Sequence, residues 1–266
     1  MQLADFGDAP VCMTDYGDPM PDHIFEDHKL ASLYDLFAPA DSRADFSFYL
    51  PMIRSANSVL DIGCGTGSLL MKVRDAGHTG RLTGIDPASG MIEVAKARSD
   101  FEWIQTDVLS TAFDQEFDLA VMTGHAFQVL LEDDEIRKTF SKVHGLLAAG
   151  GRFAFETRNP LVRSWKRWHV EYSGTVTDQS GVEVKAECKV EEPVSGDLVR
   201  FSHTYSSQGW SSDEINWSTL RFISLVDLNH IATDAGFEIE SQFGDWDSSE
   251  YFSSSPEIIT ILRKPD

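Results

Sequence analysis

The chain holds 266 residues, 42% hydrophobic and 24% charged, figures that fit a globular protein with one α/β domain and room for an insertion. Acidic side chains outnumber basic ones 43 to 22, a net −21 that repels phosphate backbones and argues against nucleic acid or an anionic membrane as partner. The three cysteines (Cys12, Cys64, Cys188) cannot all pair and follow no metal-ligand spacing, and neither a secretory leader nor a membrane-length apolar run occurs, so a cytoplasmic protein with reduced thiols is expected.

Residues 1–22, rich in Asp, Gly and Pro without periodicity, read as a disordered tail. From Ile24 to Phe37 the apolar residues fit one helical face, which Pro39 stops. A second helix carries Phe46, Tyr49, Leu50 and Ile53, and Pro51 inside it is expected to kink or shorten it. Val59, Leu60 and Ile62 then form a short buried strand, broken by Gly63, Gly65 and Gly67 before a helix with Leu69, Leu70 and Val73. Glycines let a ligand approach the main chain, and the new helix aims its free N–H groups at a carboxylate or phosphate there.

Arg81 to Asp86 is the next strand, and its closing carboxylate is placed to accept both hydroxyls of a ribose. A helix from Ser89 to Ala97, a strand from Phe101 to Ile104 and the segment Thr106-Asp107-Val108 follow. Phe117 to Met122 is a dense apolar strand, and Thr123-Gly124-His125 leaves its carboxyl end, the ligand-binding end of an open α/β sheet. Glu132 to Leu147 is an amphipathic helix, Ala148 to Gly151 end it, and Arg152 to Glu156 is a fifth strand. Arg158, Arg163, Lys166 and Arg167 form a basic cluster; a solvated face suits most of them, a substrate carboxylate or phosphate one.

Between Glu171 and Ile223 the period changes to two: Val182, Val184, Ala186, Cys188 and Val190 alternate with charged residues. Residues 160–224 are accordingly read as an inserted antiparallel β lid, with Tyr205, Trp210, Trp217 and Arg221 as pocket-lining residues. Leu225 to Ala235 is a helix, and Phe237–Phe243 and Ile258–Leu262 are the last two strands.

The pattern Gly63-x-Gly65-x-Gly67-Ser68 departs from the dinucleotide fingerprint, which argues against a nicotinamide oxidoreductase. With Asp61 ahead of it, it resembles motif I of the class I S-adenosylmethionine-dependent methyltransferases, and the resemblance extends from residue 59 to about 157. It implies an α/β, Rossmann-like fold with a seven-stranded, mostly parallel sheet: a core of residues 23–159 and 225–266 with an N-terminal helical cap, plus the 160–224 lid. Asp61, Gly63, Cys64, Gly65 and Gly67 would then cradle S-adenosylmethionine, with Asp86 on its ribose and Pro87 and Met91 near adenine. Asp107 would take the adenine amine, Val108 a ring nitrogen, and Thr123 would complete the set. Gly124-His125 resembles a pair in sugar-amine N-methyltransferases whose histidine lies beside the attacking nitrogen. His125 and Tyr34 are therefore the expected catalytic residues, with Tyr49 and Arg158 beside the substrate and no metal. The resemblance implies methyl transfer to a small polar metabolite, nitrogen favoured, by a monomer or homodimer. The alternatives are an O-methyltransferase of a small carboxylate or hydroxyl, and a non-catalytic module that binds the cofactor.

Overall fold

The computed structural model describes residues 22–194 and 196–266. The expected tail lies outside them except for Asp22. The first helical stretch is two helices, α1 (His23–Glu26) and α2 (His28–Phe37), because the Asp27 carboxylate accepts the Leu30 N–H (3.0 Å) and caps the second. Helix α3 (Ala44–Ser55) runs through Pro51 without shortening. Pro51 and Ser47, the residue one turn back, both face solvent, so water can satisfy the carbonyl that the proline leaves unbonded.

The next elements alternate as the apolar spacing requires: β1 (Ser58–Ile62), α4 (Ser68–Asp75), β2 (Arg81–Asp86), α5 (Ser89–Ala95), β3 (Glu102–Gln105), β4 (Phe117–Met122), α6 (Asp133–Leu146) and β5 (Leu147–Arg158). Strand β5 begins five residues before the expected Arg152. Left-handed Gly150 (φ 70°) accommodates an irregularity, and the pairing with β4 shifts between Phe117 and Leu119. The short helix α7 (Trp168–Glu171) leads into β6 (Gly174–Thr177), β7 (Glu183–Val190), β8 (Leu198–Ser206) and β9 (Glu214–Arg221). Helix α8 (Leu225–Asp234), β10 (Glu238–Phe243) and β11 (Glu257–Arg263) close the chain.

The main sheet has seven strands in the order β10-β11-β5-β4-β1-β2-β3, parallel except where β11 pairs antiparallel with β5 and β10. Strand order reverses between β1 and β4, so the ligand crevice of this architecture falls at their carboxyl ends. Both faces are covered. Phe140 and Val143 of α6 pack with Leu60 and Phe153 on one side, and Leu69 and Val73 of α4 with Val59 and Leu82 on the other. No helix of the described residues is long and apolar enough to cross a membrane.

Trp103 of β3 lies on two glycines: a Cβ at Gly84 or at Gly67 would come within 2.4 Å of its indole. Gly84→Ala is therefore expected to lower stability by about 1–3 kcal/mol, read as a smaller urea midpoint at unchanged slope.

The remaining strands form a separate antiparallel sheet, β6-β7-β8-β9. Its inner face carries Val184, Ala186 and Tyr205 onto Leu30 and Leu33 of the N-terminal helices, and Cys188, Val199 and Phe201 onto Trp165 and Trp168. Two polar residues of that face are tied to the chain's start: Asn216 Oδ1 accepts the Ile24 N–H (3.2 Å), and the Ser218 hydroxyl donates to Asp22.

Candidate active site

The turn after β1 is fixed by its neighbour strand. The Gly63 and Cys64 N–H groups both donate to Ile85 O, at 2.8 and 3.0 Å, while Gly63, Gly65 and Gly67 take φ of 71°, 55° and 79°. Side chains rarely adopt those angles, so glycine is required here. Asp86 closes β2 against this turn. One of its carboxylate oxygens accepts the Gly65 N–H and the other the Ala88 N–H, both at 2.9 Å. Two amides thus hold a buried carboxylate in one orientation, with lone pairs left for a diol. A Cβ on Gly65 would come within 3.9 Å of Met91 Sδ, so the bare backbone faces that methionine.

Asp61 lies beneath the turn. It is buried, and its Oδ1 has no hydrogen-bond partner among the described residues. Burial and, secondarily, the Asp86 charge push its pKa up to about 7. An orphaned carboxyl oxygen beside a glycine turn suits the ammonium of an amino-acid tail, and the ribose-ready Asp86 suits a nucleoside. These residues fit S-adenosylmethionine. The Asp61 shift also sets a pH dependence. A carboxyl whose folded pKa exceeds its unfolded value contributes stability at low pH that is lost as pH rises through the folded pKa. Asp61→Asn removes that loss, so its stability relative to wild type should improve by about 2–4 kcal/mol between pH 4 and pH 8. Urea unfolding at the two pH values reads it; an unchanged difference refutes the shift.

The N-terminal helices straddle the turn. Thr66 Oγ1 donates to Asp35 of α2 (2.8 Å) and Ser89 Oγ to Glu26 of α1 (2.6 Å). Gly90 permits the second contact, since a Cβ there would lie 2.6 Å from Glu26 O. Tyr34 packs edge-on to Phe25 and joins the Ala31, Ala88 and Met91 cluster. It is also within electrostatic reach of Arg43, Asp45 and Tyr172.

At the head of β4, His125 adopts a left-handed φ of 61°, uncommon outside glycine. Its N–H donates to Glu156 Oε1 (2.6 Å), and its ring Nε2 lies 3.0 Å from Glu257 Oε2. Glu156, wholly buried near the end of β5, also accepts the Tyr49 hydroxyl. Arg43 pairs with Asp45 (Nε to Oδ1, 2.8 Å) and overlies Gly124, where a Cβ would meet Nη2 at 3.1 Å. Burial, aided by the Arg158 charge, lowers the His125 pKa to about 3, and burial raises that of Glu257 to about 7. Burial disfavours the charged form of both partners, so the two groups titrate as one coupled pair.

Other expected residues sit elsewhere. Trp217 is on the outer face of the insert, 48% exposed under the Arg200 guanidinium. Arg221 pairs with Asp133 (2.6 Å) and Asp197 (2.8 Å), with its buried Nη1 left without a partner among the described residues. Tyr49 is buried behind Glu156, supporting the site without lining it. Tyr205 packs against Phe37, and Trp210 carries the Lys29 ammonium 3.4 Å from its ring centre. Asp107 is exposed, and its carboxylate accepts the Ser110 N–H (3.0 Å) and hydroxyl (2.7 Å), a turn cap beside buried Val108. Pro87 is exposed and Thr123 buried at their strand ends. Arg43, Asp45, Glu156, Tyr172 and Glu257 were not anticipated. Only Glu156, at the carboxyl end of a legible strand, offered a local signal.

Residues 59–151 match the methyltransferase domain family. Over that stretch the chain carries a methyltransferase domain. It spans about half the length of the first curated relatives it matches (44, 55 and 49%). One of these, a malonyl-[acyl-carrier protein] O-methyltransferase of Anoxybacillus flavithermus, is 29% identical over 130 residues, 48% of this chain and 49% of its own. A cypemycin N-terminal methyltransferase from Streptomyces is 25% identical over 216 residues, covering 78% of this chain and 83% of that one. The solved sugar N-methyltransferase KedS8 of Streptoalloteichus superposes with a TM-score of 0.68 at 16% identity, covering 98% of this chain and all (100%) of that one.

Proposed function

We propose that this methyltransferase transfers a methyl group from S-adenosylmethionine to a nitrogen of a small polar acceptor, beneath the 160–224 insert acting as a lid. The observation that carries this is the His125–Glu257 pair at the head of β4. S-adenosylmethionine supplies an activated methyl on a sulfonium, so the protein has to orient a lone pair, exclude water and manage one proton. Buried Asp45, Glu156 and Glu257 make the site attractive to a protonated amine. That amine must shed a proton before its lone pair can attack. An imidazole with so low a pKa is a weak base alone, but Glu257 behind it titrates near neutrality and can take up the charge through the ring. The N–CH3 bond forms, the S–CH3 bond breaks, and the proton passes to the pair.

The cypemycin N-terminal methyltransferase and the sugar N-methyltransferase support nitrogen, and the O-methyltransferase relative supports an oxygen reading. Incubation with a panel of amines and carboxylic acids, followed by mild alkali, separates the two: an N-methyl product survives and a methyl ester does not. Failure to bind S-adenosylmethionine or S-adenosylhomocysteine by calorimetry, with folding intact, would reject both.

A further inference from the structure

We propose that Arg158 binds the carboxylate of an acceptor that also carries the amine to be methylated. This rests on the reading above and narrows the acceptor to amino-carboxylates. In so acidic a chain the part-buried arginines Arg43, Arg81, Arg98, Arg221 and Arg263 each pair with a carboxylate, while Arg74 is spent on the backbone carbonyls of His78 (2.6 Å) and Gly80 (3.1 Å). Arg158 pairs with none among the described residues. Directly across the ladder from it stands Glu257, the obvious partner, yet that carboxylate turns to His125 instead.

Neutral groups hold the guanidinium. Nη1 donates to Gln128 Oε1 and Nη2 to the Tyr172 hydroxyl, both at 2.6 Å, and the cation lies 5.3 Å from the Trp168 ring centre. Gln128 is itself buried and anchored by donation to Arg221 O (2.8 Å). Such partners fix the direction of the charge without cancelling it, and leave N–H groups spare for a planar oxyanion. With Glu156 and Glu257 close by, a singly charged carboxylate fits better than a dianionic phosphate. The Arg158 charge is felt at His125, so the two sites are near enough for one small molecule to occupy both.

The test titrates protein saturated with S-adenosylhomocysteine with β-alanine, 4-aminobutyrate and 4-aminobenzoate, and with the primary amide of each. At least one acid should bind roughly tenfold or more tightly than its amide, the worth of one charged hydrogen-bonded contact. Arg158→Gln should erase that preference, Arg158→Lys should keep part of it, and Tyr172→Phe should weaken it with the fold intact. If no acid surpasses its amide, or if the preference survives in Arg158→Gln, the assignment fails. S-adenosylhomocysteine affinity is measured on the same samples. Its absence in wild type sinks the methyltransferase reading, whereas its presence without any acid preference sinks only the role of Arg158.

Discussion

Asp86→Ala is expected to weaken S-adenosylhomocysteine binding by roughly 100-fold or more, since two charge-assisted contacts to the ribose disappear at once. The loss has a second source. The Gly65 and Ala88 amides, now both satisfied by this carboxylate, would be left without their acceptor, and the turn they hold would relax. Asp86→Asn separates the two contributions. It keeps an oxygen for one amide but presents an NH2 to the other, so a smaller loss of about tenfold is expected. Calorimetry reads affinity and thermal unfolding confirms the fold. Near wild-type affinity in the alanine variant would mean that the nucleoside lies elsewhere.

His125→Ala should lower kcat by roughly 10²–10⁴ with S-adenosylhomocysteine affinity retained, the range for loss of a positioned proton acceptor. Glu257→Gln tests whether the pair acts as a unit. The amide keeps the shape and a hydrogen bond to Nε2 but cannot take a charge, so kcat should fall while KM for the acceptor stays close to wild type. In wild type, the acid limb of kcat should report the coupled pair and fall near neutrality; in Glu257→Gln that limb should shift or vanish. A variant with unaltered kcat and pH profile would reduce Glu257 to a structural support.

The glycine turn, Asp86 and His125 were legible because each is written locally: a strand, then the chemistry at its end. Glu257 was not. It reaches His125 across 132 positions, and only the antiparallel seating of β11 on β5 brings it there. Trp217 failed for a different reason. Alternation along β9 separates two faces without saying which is inner, and hydrophobicity suggests the wrong one. Asn216 and Ser218 point inward because Ile24 and Asp22 satisfy them, which turns the tryptophan out to solvent. Arg221 looked available only because its partners, Asp133 and Asp197, lie on distant segments. Pro51 misled because the rule against proline inside helices assumes a carbonyl that water cannot reach.

The short α1–α2 segment fastens to three separate parts of the molecule: Asp35 to the glycine turn, Glu26 to the start of α5, and Asp22 with Ile24 to the insert. If the nucleoside seats under this strap and the acceptor enters from the side of the insert, as the proposed function has it, the nucleoside can come and go only when these polar stitches and the apolar packing of Leu30, Leu33 and Ala31 part. Turnover should therefore be ordered, the nucleoside arriving first and leaving last, and S-adenosylhomocysteine should inhibit competitively toward S-adenosylmethionine but not toward the acceptor.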